Sequence, residues 1–451
     1  MTGSALRDET VDLLSRLIRV DTTNPPGNET AAAELLRDYL EASGVACDLY
    51  AKVPERANLV ARIPGGSGPS LLLLSHTDVV LADPAEWSVP PFSGEVRDGE
   101  VWGRGALDMK SQVAASAVAV ASLAREGFRP SGDLLFVASA DEEVGDGFGL
   151  EWLCEEHPDA VRAAFAVNEG GGDRLELRDG GVVYQATVAE KMSAPFLLRV
   201  RGRSGHASMP GIADNALVKA ARLVERIAAF RPEPQLGPEV EGFLRAVLGE
   251  VPAAVDAVER TRALSPPAAD AVEALLGPTF SPTIISASLK RNVIPALCEV
   301  EVDCRLLPGQ HPDHVEPMIR AVLDAGSIAG GADDAQRRAR GGDVDYELEW
   351  IEARGGTRSP LDTPLWRALG EFVAEAEPGA RAAPFCCAGF TDSHWLREAF
   401  GTVAYGFFPA SGTMPAEVAA SLIHSADERI PVADLELGVR WLRHAALAVL
   451  G

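Results

Sequence analysis

Four consecutive leucines, Leu71 to Leu74, run directly into Ser75-His76-Thr77-Asp78. An unbroken apolar run of this length marks a strand buried on both faces, the situation of a parallel sheet covered by helices. Such a strand needs neighbours, and the flanking sequence supplies them. A helix is expected from Glu29 to Ala42, ending at Gly44, followed by strands at Val45 to Tyr50 and Asn58 to Ile63. Asp98-Gly99 centres a hairpin over Gly94 to Trp102, Ser111 to Arg125 reads as an alanine-rich helix, and Asp133 to Ala140 as a second buried strand. A helix near Leu150 to Glu156 and a strand at Ala163 to Val167 complete the alternation, which predicts an α/β fold with a mixed, mostly parallel sheet.

The rhythm changes after Glu190. Strand patterns at Phe196 to Arg201, Thr283 to Leu289, Leu297 to Arg305 and Tyr346 to Ile351 alternate with helices at Asn215 to Phe230 and Pro312 to Leu323. This β-α-β-β-α-β order predicts a separate α+β (ferredoxin-like) domain with its helices on one face. We place it at 188–353, inserted into a large domain formed by 1–187 and 354–451. Within the insert, Arg231 to Phe280 is a proline-punctuated helical segment, and Gly326 to Asp343 is expected to be a mobile polar loop.

The 451 residues carry a formal net charge of −25, so binding to nucleic acid or to an anionic membrane would work against long-range repulsion. The 47% hydrophobic content suffices for a sizeable core. Six cysteines without a Cys-x-x-Cys spacing suit a reducing compartment. The first residues, Met1 to Asn24, show helical apolar spacing rather than a signal peptide, and no run of about 18 apolar residues occurs. The expected location is the cytoplasm.

Five polar segments follow buried strands or open loops, where ligand sites of open α/β sheets lie. In His76-Thr77-Asp78, residues two apart point the same way, so Asp78 can orient the His76 imidazole; a structural hydrogen-bonded pair is the plainer reading. Asp108, in Gly103 to Lys110, taken alone reads as a helix cap. Asp141, Glu142 and Glu143 crowd together at a strand end, which favours a cation nearby unless the turn is solvated. Glu169 follows an apolar strand, with three glycines after it that also suit a turn. His424, alone, would be a surface histidine. Taken together, two histidines and several carboxylates form the nitrogen and oxygen donor set of zinc or a similar ion.

In order and spacing, His76-Thr77-Asp78, Gly105-x-x-Asp108-Met109-Lys110, Asp141-Glu142-Glu143, Asn168-Glu169-Gly170 and His424 resemble the dinuclear zinc peptidase and deacylase family. That family includes aminoacylase, acetylornithine deacetylase, succinyl-diaminopimelate desuccinylase, carboxypeptidase S and glutamate carboxypeptidase. The resemblance extends from Asn24-Pro25-Pro26-Gly27-Asn28-Glu29 to the last helix. It implies two divalent metal ions, zinc with cobalt or manganese as alternatives: Asp108 bridges them, His76 and Glu169 complete one site, Glu143 and His424 the other. It implies that Glu142 is the general base and that the peptide after Asp108 is cis. It also makes the inserted domain a lid and dimerisation domain.

On that lid, Gly202 to Ser208 matches a glycine-histidine motif whose His206 would stabilise an oxyanion, in dimeric relatives at the partner's site. Arg291 to Pro295 and Asp303-Cys304-Arg305 match as well, which assigns Asn292 to substrate contacts and Arg305 to a substrate carboxylate. An ion pair with Asp303 is the competing reading of Arg305. Gly389 to Ser393, with Thr391, falls at a substrate-binding loop. The resemblance therefore implies a homodimeric hydrolase cleaving an amide bond in an N-acyl amino acid or short peptide with a free carboxylate, the nearer types being aminoacylase and carboxypeptidase S. A biosynthetic deacylase of the acetylornithine or succinyl-diaminopimelate type is an alternative. Glu169 departs from the aspartate of many relatives, and the Arg231 to Phe280 insertion is long.

Two other classes compete. Gly145-x-Gly147-x-Gly149 suggests nucleotide binding, but the adjoining acids would repel a pyrophosphate. A non-catalytic peptide-binding or dimerising relative has no need of Glu142. His157, His311, His314, His394 and His444 lie outside every motif and are expected at the surface.

Overall fold

The computed structural model describes residues 3–325 and 344–451, so the loop expected over 326–343 lies outside the described residues. A nine-stranded mixed sheet organises the larger part. Its central strands, Leu134–Ser139, Leu71–His76, Phe165–Asn168 and Val403–Gly406, run parallel, while Ala46–Ala51 and Ala57–Ile63 join antiparallel at one edge.

Alternation explains why the leucine run is continuous. Leu71 and Leu73 face one core, shared with Leu14, Val118 and Trp441 of helices Gly3–Ile18, Lys110–Arg125 and Val432–Leu450, and Leu72 and Leu74 face another, shared with Leu150, Leu153 and Leu396. With helices on both sides, neither face of the strand tolerates a polar residue. The strand becomes polar only at its carboxyl end, where it leaves the core.

The smaller sheet is antiparallel and has five strands. The strand Leu297–Leu306 buries Cys298, Val300, Val302, Cys304 and Leu306 against helices Ala216–Ala229 and Pro312–Asp324 and points the intervening residues outward. Its neighbour spans Thr279–Ser286, earlier than the Thr283 to Leu289 expected, because pairing begins at Thr279 opposite Arg305 and passes a bulge after Pro282. The 231–280 segment contains helices Pro238–Leu248, Ala257–Leu264 and Pro266–Leu275. Although it lies between strands of the small sheet in sequence, its apolar residues Val240, Phe243, Leu244 and Val272 join the large core. Phe243 sits 5.8 Å from Phe385, ring to ring.

The chain crosses between the two sheets twice, and the crossings are tied together. Ser193 and Arg354 exchange backbone hydrogen bonds of 2.7 and 2.9 Å. The buried Glu190 carboxylate accepts from Thr357 N at 3.0 Å and pairs with Arg397. At Gly355, with φ of +90°, an added Cβ would meet Lys191 O at 2.8 Å, so the close approach requires glycine. No helix among the described residues is long and apolar enough to cross a membrane.

Candidate functional site

Three adjacent parallel strands of the large sheet end at the same edge, and each delivers one polar segment there. His76 is the last residue of Leu71–His76, Glu142 and Glu143 follow Leu134–Ser139, and Glu169 follows Phe165–Asn168. Asp108 enters from the loop ahead of helix Lys110–Arg125, and the Asp108–Met109 peptide is cis. His424, half-exposed and at φ of +60°, arrives from far along the chain.

Asp108 stands between the two imidazoles. Its Oδ1 lies 3.2 Å from His76 Nε2 and its Oδ2 3.1 Å from His424 Nε2. Glu169 Oε2 is 3.6 Å from the first imidazole nitrogen, and Glu143 Oε2 is 3.3 Å from the second. Two donor groups result, His76, Asp108, Glu169 and Asp108, Glu143, His424, with Asp108 common to both. Donors held about 2.1 Å from a tetrahedral zinc stand roughly 3.4 Å from one another, and the four separations fall around that value. Glu143 Oε1 is buried without a hydrogen-bond partner, an acceptor left over for a cation. The residues fit two divalent ions.

Glu142 belongs to neither group. Its Oε2 lies 3.9 Å from His76 Nε2, and its main-chain N–H donates to Asp78 Oδ1 at 3.2 Å. Asp78 Oδ2 accepts from Glu143 N at 3.1 Å and from Asn24 Nδ2 at 2.9 Å. His76 Nδ1 is nearer the Asp78 carbonyl, at 3.1 Å, than its carboxylate, at 3.5 Å. Asp78 therefore fixes the His76 ring through its main chain and the Glu142-Glu143 segment through its side chain. The third acid of the triplet turns away, since Asp141 accepts from Arg56, Asn24 and Phe148 N.

So many buried carboxylates shift one another. Burial, then Glu169, holds Glu142 well above the usual carboxylate range. Burial also pushes Glu143 up to about 7, with Asp108 adding to the effect. For His76, burial disfavours the charged ring, but Glu169, Asp108 and Asp78 outweigh it and raise the imidazole well above its ordinary value.

A cleft of about 460 Å³ opens beside these groups, lined by Glu142, Glu143 and His424 from the site and by Arg305, Arg354 and Phe390 opposite. Arg305 borders the cleft and pairs with Asp303 at 2.9 Å, the ion pair of its competing reading. Thr391 is buried and its Oγ1 has no partner. Gly145, Gly147 and Gly149 line the same acidic cleft. His206 and Asn292 do not border it; both are exposed on the small domain, where the two-residue strand Gly205–His206 pairs antiparallel with Val293–Ile294.

Sequence reasoning missed three groups here. Asp392 lies on the cleft wall, accepts from Ser139 Oγ at 3.0 Å and is pushed up to about 7 by burial. Its position beside Thr391 was the available signal. Arg354 stacks over Phe390 at 5.8 Å and carried no signal beyond the glycine pair after it. His394, expected at the surface, is buried beside Phe390 and Trp395 and meets Glu398 at 2.8 Å, because helix Ser393–Phe400 packs that face inward.

Residues 72–448 match the profile of peptidase family M20/M25/M40. Succinyl-diaminopimelate desuccinylase of Thioalkalivibrio sulfidiphilus is 26% identical over 435 residues, covering 95% of each chain. Aminoacylase-1 of Sus scrofa is 27% identical over 436 residues, covering 95% of this chain and 92% of the other. Among solved structures, the M20 family metallo-carboxypeptidase Sso-CP2 from Sulfolobus solfataricus superposes with a TM-score of 0.68 at 17% identity, covering 98% of this chain and 99% of that one. With the profile spanning most of its length and all five polar segments, the chain is a hydrolase that belongs to peptidase family M20/M25/M40.

Proposed function

We propose that this protein hydrolyses an amide bond in an N-acyl amino acid or a short peptide bearing a free carboxylate, using two divalent metal ions. The observation that carries the reading is Asp108, shared by two donor groups, with Glu142 beside them and in neither. His76, Asp108 and Glu169 hold one ion, and Asp108, Glu143 and His424 the other. Zinc suits this mixed nitrogen and oxygen set, with cobalt and manganese as alternatives. Bound there, the ions supply Lewis acidity, polarising an amide carbonyl and acidifying water.

The remaining work falls to the chain. Glu142, free of either donor group, accepts a proton from the attacking water and passes it to the departing amine. Burial, then the neighbouring Glu169, raises its proton affinity above that of an ordinary carboxylate, the direction that favours proton transfer. Asp78 keeps Glu142 in place by accepting its main-chain N–H. Arg305, across the cleft, binds the substrate carboxylate in exchange for part of its pairing with Asp303.

His206 and Asn292 lie outside the cleft of their own chain, which favours a homodimer in which the lid serves a partner's cleft. The lid edge strand Thr279–Ser286 exposes Ile284 and Ile285, and the segment after it exposes Leu289, Val293 and Leu297. An exposed apolar edge strand of this kind is normally covered by another chain. The desuccinylase relative favours a second substrate class, a succinylated diamino acid, and a hydrolysis screen of acyl amino acids and dipeptides separates the two.

Three outcomes test these assignments. Glu142→Gln lowers kcat by about 10²–10⁴-fold while bound metal stays at the wild-type level; full turnover removes Glu142 as the base. Without metal, His76 holds its proton more tightly than an ordinary imidazole because Glu169, Asp108 and Asp78 surround it, and Glu143, pushed up to about 7 by burial, is partly protonated near neutrality, whereas cations require both donors deprotonated. Metal binding therefore releases protons, so affinity falls as pH drops, by about tenfold per pH unit for each proton released. Calorimetric cobalt titrations in buffers of different ionisation heat count them, and a pH-independent affinity without release contradicts the arrangement. Mixed dimers of Glu142→Gln and His206→Ala chains regain roughly a quarter of wild-type activity if His206 acts across the dimer, where its loss alone removes about 10²–10³-fold. No recovery on mixing places its action within one chain.

A further inference from the structure

Glu428 belongs to neither donor group, yet it touches the backbone that carries Asp108. Its carboxylate is fully buried and meets four donors. Oε2 accepts from Arg104 Nη1 at 2.7 Å and from Gly105 N at 3.0 Å, and Oε1 accepts from Leu107 N at 2.7 Å and from Asp108 N at 3.1 Å. Both oxygens are saturated by N–H groups, so Glu428 has none to offer a cation.

Its main chain is tied to the same loop. Gly103 N donates to Glu428 O at 2.9 Å, and Arg429–Pro431 pairs antiparallel with Glu100–Trp102. Four residues before Glu428 stands His424. The intervening turn is fixed too: Asp427, at φ of +60°, accepts from Ser88 N and Ser88 Oγ at 2.7 and 2.9 Å. One carboxylate thus joins the segment presenting Asp108 to the segment presenting His424, two stretches more than three hundred residues apart in sequence. A buried ion pair such as Arg104–Glu428 is a weak source of stability in itself, because desolvation offsets most of the attraction. Backbone N–H groups pinned to a rigid acceptor do, however, fix the direction of the side chain that follows.

We infer that Glu428 is a positioning residue that sets the spacing between Asp108 and His424 and so builds the second cation site. This rests on the two-metal reading above. The effect is selective. In the group Asp108, Glu143, His424, two of three donors depend on Glu428. In the group His76, Asp108, Glu169, two of three donors come from strand ends of the large sheet and only Asp108 depends on it.

Metal-stripped wild-type protein, Glu428→Gln and Glu428→Asp are titrated with cobalt(II), following calorimetric heat and the visible absorption of the bound ion. His424→Ala identifies the event belonging to the second site, and thermal melting of the metal-free proteins reports the fold. Wild type takes up two ions. Glu428→Gln keeps the first within a few-fold and binds the second about 10–100-fold more weakly. Glu428→Asp, with the charge retained but withdrawn by one methylene, gives an intermediate loss at the second site and decides the matter by the same criterion if Glu428→Gln does not fold. Wild-type affinity at both sites in a folded variant overturns the inference, and so does an equal loss at both that tracks the fall in melting temperature. A wild-type chain that takes up fewer than two ions overturns the two-metal reading and the inference with it.

Discussion

One carboxylate, Asp108, faces two imidazoles, one from residue 76 and one from residue 424, and the surrounding structure is arranged to keep it there. The imidazoles come from different constructions. His76 ends a strand buried on both faces, so packing on both sides holds its backbone. His424 rides on a turn whose geometry depends on side-chain anchors such as Asp427 with Ser88. A rigid sheet edge supplies one half of the centre, and a pinned loop supplies the other.

The cost of this arrangement is electrostatic crowding. Glu142, Glu143, Glu169 and Asp392 are all pushed upward, with burial the first cause in each. Left to themselves, such groups take up protons rather than stay ionised together. Two cations held as proposed would relieve that crowding for the ligands. Hydrogen bonds from Glu142 N, Glu143 N and Asn24 to Asp78 hold the neighbouring backbone while the carboxylates compete. Asp78 and Glu428 share one pattern: each accepts main-chain N–H groups from a segment that carries an acidic side chain of the site.

Much of this was legible in the sequence where local pattern and long-range structure coincide. The leucine run announced a doubly covered strand, and the β-α-β-β-α-β order of the second part was readable from alternation in Phe196–Arg201 and Leu297–Leu306. Elements held by tertiary contacts were not. The strand Val182–Glu190 escaped notice because it buries Gln185, Thr187 and Glu190 among its apolar residues and so shows no clean run. Packing of the 231–280 helices on the large core depends on Phe243 meeting Phe385, a contact no local window contains. At the site, the segments containing His76, Asp108, Glu142, Glu143, Glu169 and His424 were visible because each combines a strand end or loop with acids or histidine. Arg354 was not, and Asp392 was seen only as part of the Gly389 to Ser393 loop, since their meaning comes from the cleft wall they form.

The account stands or falls on whether Asp108 holds two cations at once. Crystals of the cobalt-loaded protein, with diffraction recorded on both sides of the cobalt absorption edge, locate the ions directly. The expected result is two anomalous peaks, one among His76, Asp108 and Glu169 and the other among Asp108, Glu143 and His424. A single peak, or peaks whose nearest donors leave out Asp108, would contradict it.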